Sequence, residues 1–119
     1  MPIRERRRFM RFNTMLEAEY WAKGPSMASG QARIRDFSRE GIRMIFPQPV
    51  QMGEHVDLTM RVPGDNIPIF ATGAVAWIQS GKNIGADAGL RLLSIKPLDL
   101  ARLLDFVYSK WLGAVREKL

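Results

Sequence analysis

The chain has 119 residues, a formal net charge of +6, 46% hydrophobic residues and no cysteine. A chain of this length buries roughly two thirds of the surface its unfolded form exposes, which supports one cored domain and leaves no room for a second. The missing thiols exclude disulfide frameworks, zinc–thiolate centres and cysteine nucleophiles, and they fit a reducing cytoplasm.

Residues 1–12 form a basic arm in which Arg4, Arg6, Arg7, Arg8 and Arg11 stand against Glu5 alone, so four of the six net charges sit there. The remaining 107 residues are nearly balanced, with 13 basic and 11 acidic side chains. Self-repulsion should leave such an arm poorly ordered on its own, and its charge invites an anion. Nucleic acid, a membrane surface and a phosphorylated ligand all satisfy that demand. No apolar run approaches the ~20 residues that span a bilayer, so a soluble cytoplasmic protein without membrane insertion is expected.

Residues 13–96 read as short strands. Leu16, Ala18 and Tyr20 alternate with Glu17, Glu19 and Trp21, the period of a half-buried strand. Gly24 and Pro25 turn the chain, and residues 31–37 form a second strand that ends in a sharp turn around Ser38 and Gly41. Residues 42–46 follow as a third, stopped by Pro47 and Pro49. Residues 56–62, 69–78 and 84–93 make three more. Six strands at hairpin-like spacing predict a closed or nearly closed antiparallel β-barrel. Pro97 then opens an amphipathic helix over residues 97–119, with Leu100, Leu103, Leu104, Val107, Tyr108, Trp111, Leu112 and Val115 on one stripe. That stripe is expected to pack on the barrel. Trp77 and Trp111 are assigned to the core by their strand and helix patterns, whereas Trp21 falls on the face opposite the first strand's apolar residues.

The inventory does not assemble an enzyme. His55 is the single histidine and lacks any HExxH-type partner, and the glycines form neither GxGxxG nor GxxxxGK[ST]. Catalytic residues, metal ligands and cofactors are therefore not expected. Two motifs stand out instead. Arg7 to Arg11 gives RRxxxR where the arm meets the first strand, and Asp36 to Gly41 gives DxSxxG at the turn between strands two and three.

In this order and placement the motifs resemble the PilZ domain family, bacterial receptors for the second messenger cyclic di-GMP. Ala71, Val75 and Trp77, followed by Gly89, Leu90, Arg91 and Leu92, are similar to that family's later strands. The resemblance implies a six-stranded barrel with a C-terminal helix, and a ligand held between the arginine arm and the DxSxxG turn. Arg7 and Arg11 then fork onto phosphate oxygens or guanine O6 and N7, with Arg8 as a third contact. Asp36 suits the N1 and N2 donors of guanine. Ser38 either contacts phosphate or holds its own turn, and Gly41 allows close backbone approach or a positive dihedral angle. Arg6, directly before RxxxR, is the family position associated with two intercalated ligand molecules per chain.

The expected function is thus a cyclic di-GMP receptor or adaptor. Ligand would order the arm over the barrel and signal to a protein partner of motility, polysaccharide or transcription machinery. The alternatives are a nonspecific nucleic-acid-binding barrel and a PilZ-like structural module that binds no ligand.

Overall fold

The computed structural model describes residues 12–39, 41–80 and 85–117. Six strands follow in chain order: β1 (Phe12–Ala22), β2 (Ser29–Phe37), β3 (Gly41–Phe46), β4 (His55–Met60), β5 (Ile69–Ser80) and β6 (Ala86–Ile95). One helix, α1 (Pro97–Glu117), completes the chain. Every strand pairing is antiparallel, and the ladder runs β1-β2-β3-β6-β5-β4 before closing on itself through β4 and β1. Closure removes both sheet edges, which would otherwise expose unpaired backbone groups.

The period-two pattern fills the inside. Leu16, Ala18, Tyr20, Ile34, Ile42, Met44, Phe46, Val56, Leu58, Met60, Ile69, Val75, Ala88 and Leu90 form one buried cluster. The Tyr20 ring meets the Phe46 ring edge to face at 4.8 Å, and its hydroxyl donates to Gln48 Oε1 at 3.3 Å. Burial raises the Tyr20 phenol above its ordinary value.

The two ends of the barrel differ. One end gathers the start of β1, the β2–β3 turn, the β4–β5 loop and the step from β6 into α1. Helix α1 closes this end by sending Leu103 and Val107 into the core cluster, with Leu100, Leu104 and Phe106 packed against it. Arg102 ties the helix to the β4–β5 loop, donating to Asp65 Oδ2 and to the Ile67 carbonyl, each at 2.6 Å, and to Asp99 at 2.9 Å. Tyr108, assigned above to the packing stripe, is 49% exposed, so the buried stripe is narrower than the spacing implied. No helix among the described residues is long and apolar enough to cross a membrane.

The opposite end is fastened by a carboxylate. Glu54, only 4% exposed, accepts from Ser26 N–H at 2.7 Å, Ser26 Oγ at 2.8 Å and Gln51 N–H at 2.7 Å. It thereby joins the β1–β2 turn to the β3–β4 loop. Gly24 leaves the space it needs, because a Cβ there would meet Glu54 Cγ at 2.5 Å. Burial alone would raise this carboxyl, and the three hydrogen bonds together outweigh it, leaving Glu54 below its ordinary value of 4.5. A depressed folded-state value stabilises the fold above the unfolded value, and that contribution is lost as pH falls through the folded one. Glu54→Gln, which can keep the two bonds to Oε1 but turns an amide NH2 toward the Ser26 N–H, should cost about 1–3 kcal/mol in urea unfolding at pH 7. The loss should shrink as pH falls from 4.5 through the lowered folded-state value, as first the unfolded and then the folded carboxylate takes up a proton; an equal loss at pH 7 and pH 3 would contradict this account.

Candidate functional site

In a regular strand the side chains that follow Ile34 inward by twos would include Asp36, and those that follow Val75 would include Trp77. Two β-bulges prevent this. Opposite β3, strand β2 carries one extra residue between Ile34 and Asp36, so Arg35 and Asp36 both face outward and Phe37 returns to the core. Opposite β6, strand β5 carries an extra residue between Val75 and Trp77, and Ala76 and Trp77 both face outward. Each bulge rotates one large functional group onto the outer wall, a common use of bulges beside binding sites. The assignment of Trp77 to the core is corrected here: it is 36% exposed, because an alternation count cannot see a bulge.

The register then lines these groups up. Asn13 lies opposite Asp36, Asp36 opposite Arg43, Arg43 opposite Gly89, and Gly89 opposite Trp77. The result is one outward row across β2, β3, β6 and β5, with Asn13 of β1 in register beside it. At about 4.8 Å per strand, Asp36 and Trp77 stand roughly 14 Å apart. Gly89 gives the Trp77 indole room to lie across β6, since any Cβ there would overlap the ring.

Arg43 is the electrostatic centre. It donates from Nε to Asp87 Oδ1 at 3.0 Å and from Nη2 to Asp87 Oδ2 at 2.6 Å, a bidentate pair. Its Nη1 stands 3.6 Å from Asp36 Oδ2, a charge contact longer than a hydrogen bond. The hydrogen bond to Asp87 raises the guanidinium above its ordinary value, against the opposing effect of burial. Asp87 is lowered in return, chiefly by that same bond.

The DxSxxG turn sits at the end of this row. Ser38 is 3% exposed; its N–H donates to the Gly41 carbonyl at 2.9 Å and its hydroxyl to the same oxygen at 3.4 Å. Of its two open readings, the turn-holding one is what these bonds display. Gly41 is required for close approach, since a Cβ would stand 2.9 Å from the Leu90 carbonyl oxygen, and it is not among the glycines of positive φ. Arg6, Arg7, Arg8 and Arg11 lie outside the described residues.

Sequence reasoning missed Arg43 and Asp87. Arg43 follows Gly41 by two, on the same strand face, so the motif read one step further would have found it. Asp87 has no local signal, because only the pairing of β3 with β6 brings it to Arg43. His55 is exposed at the start of β4, and no group of three or more His, Cys, Asp or Glu among the described residues could hold a metal ion. On the opposite wall, Trp21 and Phe70 are 66% and 61% exposed beside a 2.8 Å Lys23–Asp57 ion pair.

Comparison with known proteins agrees with this architecture. Two solved structures superpose on the chain. The first, the Bacillus subtilis inhibitor of motility MotI/DgrA, matches with a TM-score of 0.73 at 20% identity, over 92% of this chain and 53% of its own. The chain therefore spans about half the length of that protein. The second, the PilZ domain of Escherichia coli YcgR with c-di-GMP, matches with a TM-score of 0.66 at 19% identity, over 96% of this chain and 97% of its own. No curated protein sequence matches. The PilZ domain family model matches residues 5–109, spanning both the arginine motif and the barrel with most of its helix, and the chain belongs to that family.

Proposed function

We propose that this protein is a cyclic di-GMP receptor whose ligand lies on the outer row from Asp36 to Trp77, beneath the arginine arm of residues 1–12. The observation that carries the reading is the row itself. It sets an acceptor, a cation and an aromatic ring seated on a glycine across neighbouring strands of one rigid wall. Asp36 accepts from the guanine N1 and N2 donors, and Trp77, laid across Gly89, offers a stacking surface. Phosphates fall to Arg7, Arg8 and Arg11, which covalent continuity delivers here, because β1 begins at Phe12 opposite Phe37 and directly beside Asp36.

Family membership and the YcgR domain with c-di-GMP support the choice of ligand. The MotI likeness supports a protein partner in motility over polysaccharide or transcription machinery. Bound ligand neutralises the arm and folds it against the wall, and the surface so formed is what that partner reads. A nonspecific nucleic-acid barrel fits poorly, since Asp36 and Asp87 place two carboxylates against one arginine on this face. The same retained groups argue against a module that binds nothing.

Calorimetric titration should show binding of cyclic di-GMP in clear preference to cyclic di-AMP and to single-stranded DNA. Arg7→Ala and Asp36→Ala should each weaken it by about tenfold or more, the effect of one charged hydrogen bond. Equal affinity for all three ligands, or no binding, would reject the receptor. Arg6 implies a saturating ratio of two ligands per chain, and a clean ratio of one would reject the intercalated pair. Amide relaxation of residues 4–11 should slow toward that of the barrel when ligand is added; unchanged relaxation would exclude the ordering of the arm.

A further inference from the structure

Trp21 and Phe70 are the most exposed aromatic rings among the described residues, and both project from paired strands on the wall opposite the row from Asp36 to Trp77. Rings left in water by the packing of their own chain mark contact surfaces. The register sets Trp21 opposite Asp57 and Asp57 opposite Thr72, with Phe70 two residues before Thr72. On strand spacings of about 4.8 Å and a rise of about 3.4 Å per residue, the two positions stand roughly 12 Å apart. Between them lies a cleft of about 580 Å³ that Asp57, Thr59 and Thr72 help to line.

This cleft shares Glu19 and Thr59 with a second of about 610 Å³, which in turn shares Glu17, Gln31 and Arg33 with a third of about 520 Å³. One groove thus crosses the outside of β1, from the two rings to Arg61, Arg33 and Arg35. The ion pairs among the described residues engage Lys23, Arg43 and Arg102 and none of these three arginines, all of which are exposed. Lys23 holds Asp57 at 2.8 Å while Thr72 Oγ1 donates to the same carboxylate at 3.0 Å, so that pair is neutralised within the wall. Of the other charges on the groove, Arg33, Arg35, Arg61 and Lys96 outnumber Glu17 and Glu19 by two. We propose that the groove binds an extended acidic segment of a partner protein, with an apolar side chain held between Trp21 and Phe70 and carboxylates on Arg61 and Arg33.

Closure of the barrel leaves no strand edge for such a segment to pair with, so side chains must carry the recognition. Arg61 follows Met60, the register partner of Ala18, and Arg33 is the partner of Glu17. The two arginines therefore lie roughly 10 and 14 Å from the midpoint between the rings. About three to four extended residues cover that span, which sets the recognised pattern: an acidic residue three or four positions from an apolar anchor. Glu17 and Glu19 exclude a nucleic acid, since its phosphates would run past both carboxylates, whereas a peptide can turn N–H groups toward them. The inference rests on the adaptor reading above only for the existence of a partner, because barrel strands alone build the groove.

Random heptapeptides displayed on phage and selected on the whole chain should be enriched in Trp, Phe or Leu three or four positions from Asp or Glu. An enriched peptide, made with a fluorescent label, should lose about tenfold in affinity on Trp21→Ser and about tenfold on Arg33→Glu. Exchanging its acidic residue for Lys should restore several-fold of the affinity for Arg33→Glu while weakening that for the wild type, a reversal that a merely structural effect would not produce. Both positions are exposed, so the unfolding constants of the two variants in urea should stay within about threefold of the wild type. No enrichment, a basic consensus, or equal affinity for wild type and variants would overturn the proposal. A dimer in sedimentation that Trp21→Ser abolishes would assign the groove to a second copy, and single-stranded DNA binding lost on Trp21→Ser would assign it to nucleic acid; either result rejects the acidic segment. Peptide binding without cyclic di-GMP binding would reject the receptor and uphold the groove, and the converse would reject the groove alone.

Discussion

A barrel of six strands encloses room only for its own side chains. Ile34, Ile42, Met44, Phe46, Val56, Leu58, Met60 and Ile69 fill this one to the point of full burial, and Leu103 and Val107 stop one end. A ligand of nucleotide size therefore has to be met on the outside. Yet outward positions of a small barrel are also where a strand puts its solvated residues, so something must gather recognising groups on one stretch of wall. The two bulges, beside Asp36 and Trp77, do this. They act against the pleat at two points and bring an acidic and an aromatic group into one row that Arg43 and Gly89 complete.

The same device explains what could be read in the sequence. Strand number, order and approximate limits followed from alternation and turn residues, and β3, for example, differs from its expectation by one residue, starting at Gly41 in place of Ile42. The sharp turn at Ser38 followed from serine and glycine chemistry and is held by the Gly41 carbonyl. Trp77 defeated the method because its phase depends on one inserted residue, Ala76, whose identity carries no mark of a bulge. Asp87 defeated it for a different reason. It is 44 residues from Arg43, and no spacing rule reaches across a strand crossover.

Family likeness and physical reading contribute different things here. The motif made Asp36, Ser38 and Gly41 stand out together, whereas the bonds separate them. Asp36 faces the wall's exterior beside a cation, Ser38 is buried and bonded within its own turn, and Gly41 passes under the Leu90 carbonyl. Two of the three residues thus have a sufficient reason to be present in shaping the turn. Asp36 alone of the three places a charged side chain on the outer wall, turned there by a bulge and set beside Arg43. It is the residue on which the choice between a receptor and a mere barrel turns.

Rigidity divides the labour between wall and arm. Asp36, Arg43, Gly89 and Trp77 all sit within paired strands, where backbone hydrogen bonds on both sides fix them and little movement is open to them. Arg43 is fixed further by its clamp on Asp87. At the far end, Glu54 welds two loops together, and at the near end Arg102 binds the β4–β5 loop to α1. A wall so constrained can discriminate between bases, because misfit cannot be relieved by yielding. It cannot by itself report that a ligand has arrived. On the function proposed above, that report falls to the segment that joins the wall beside Asp36, which carries five arginines.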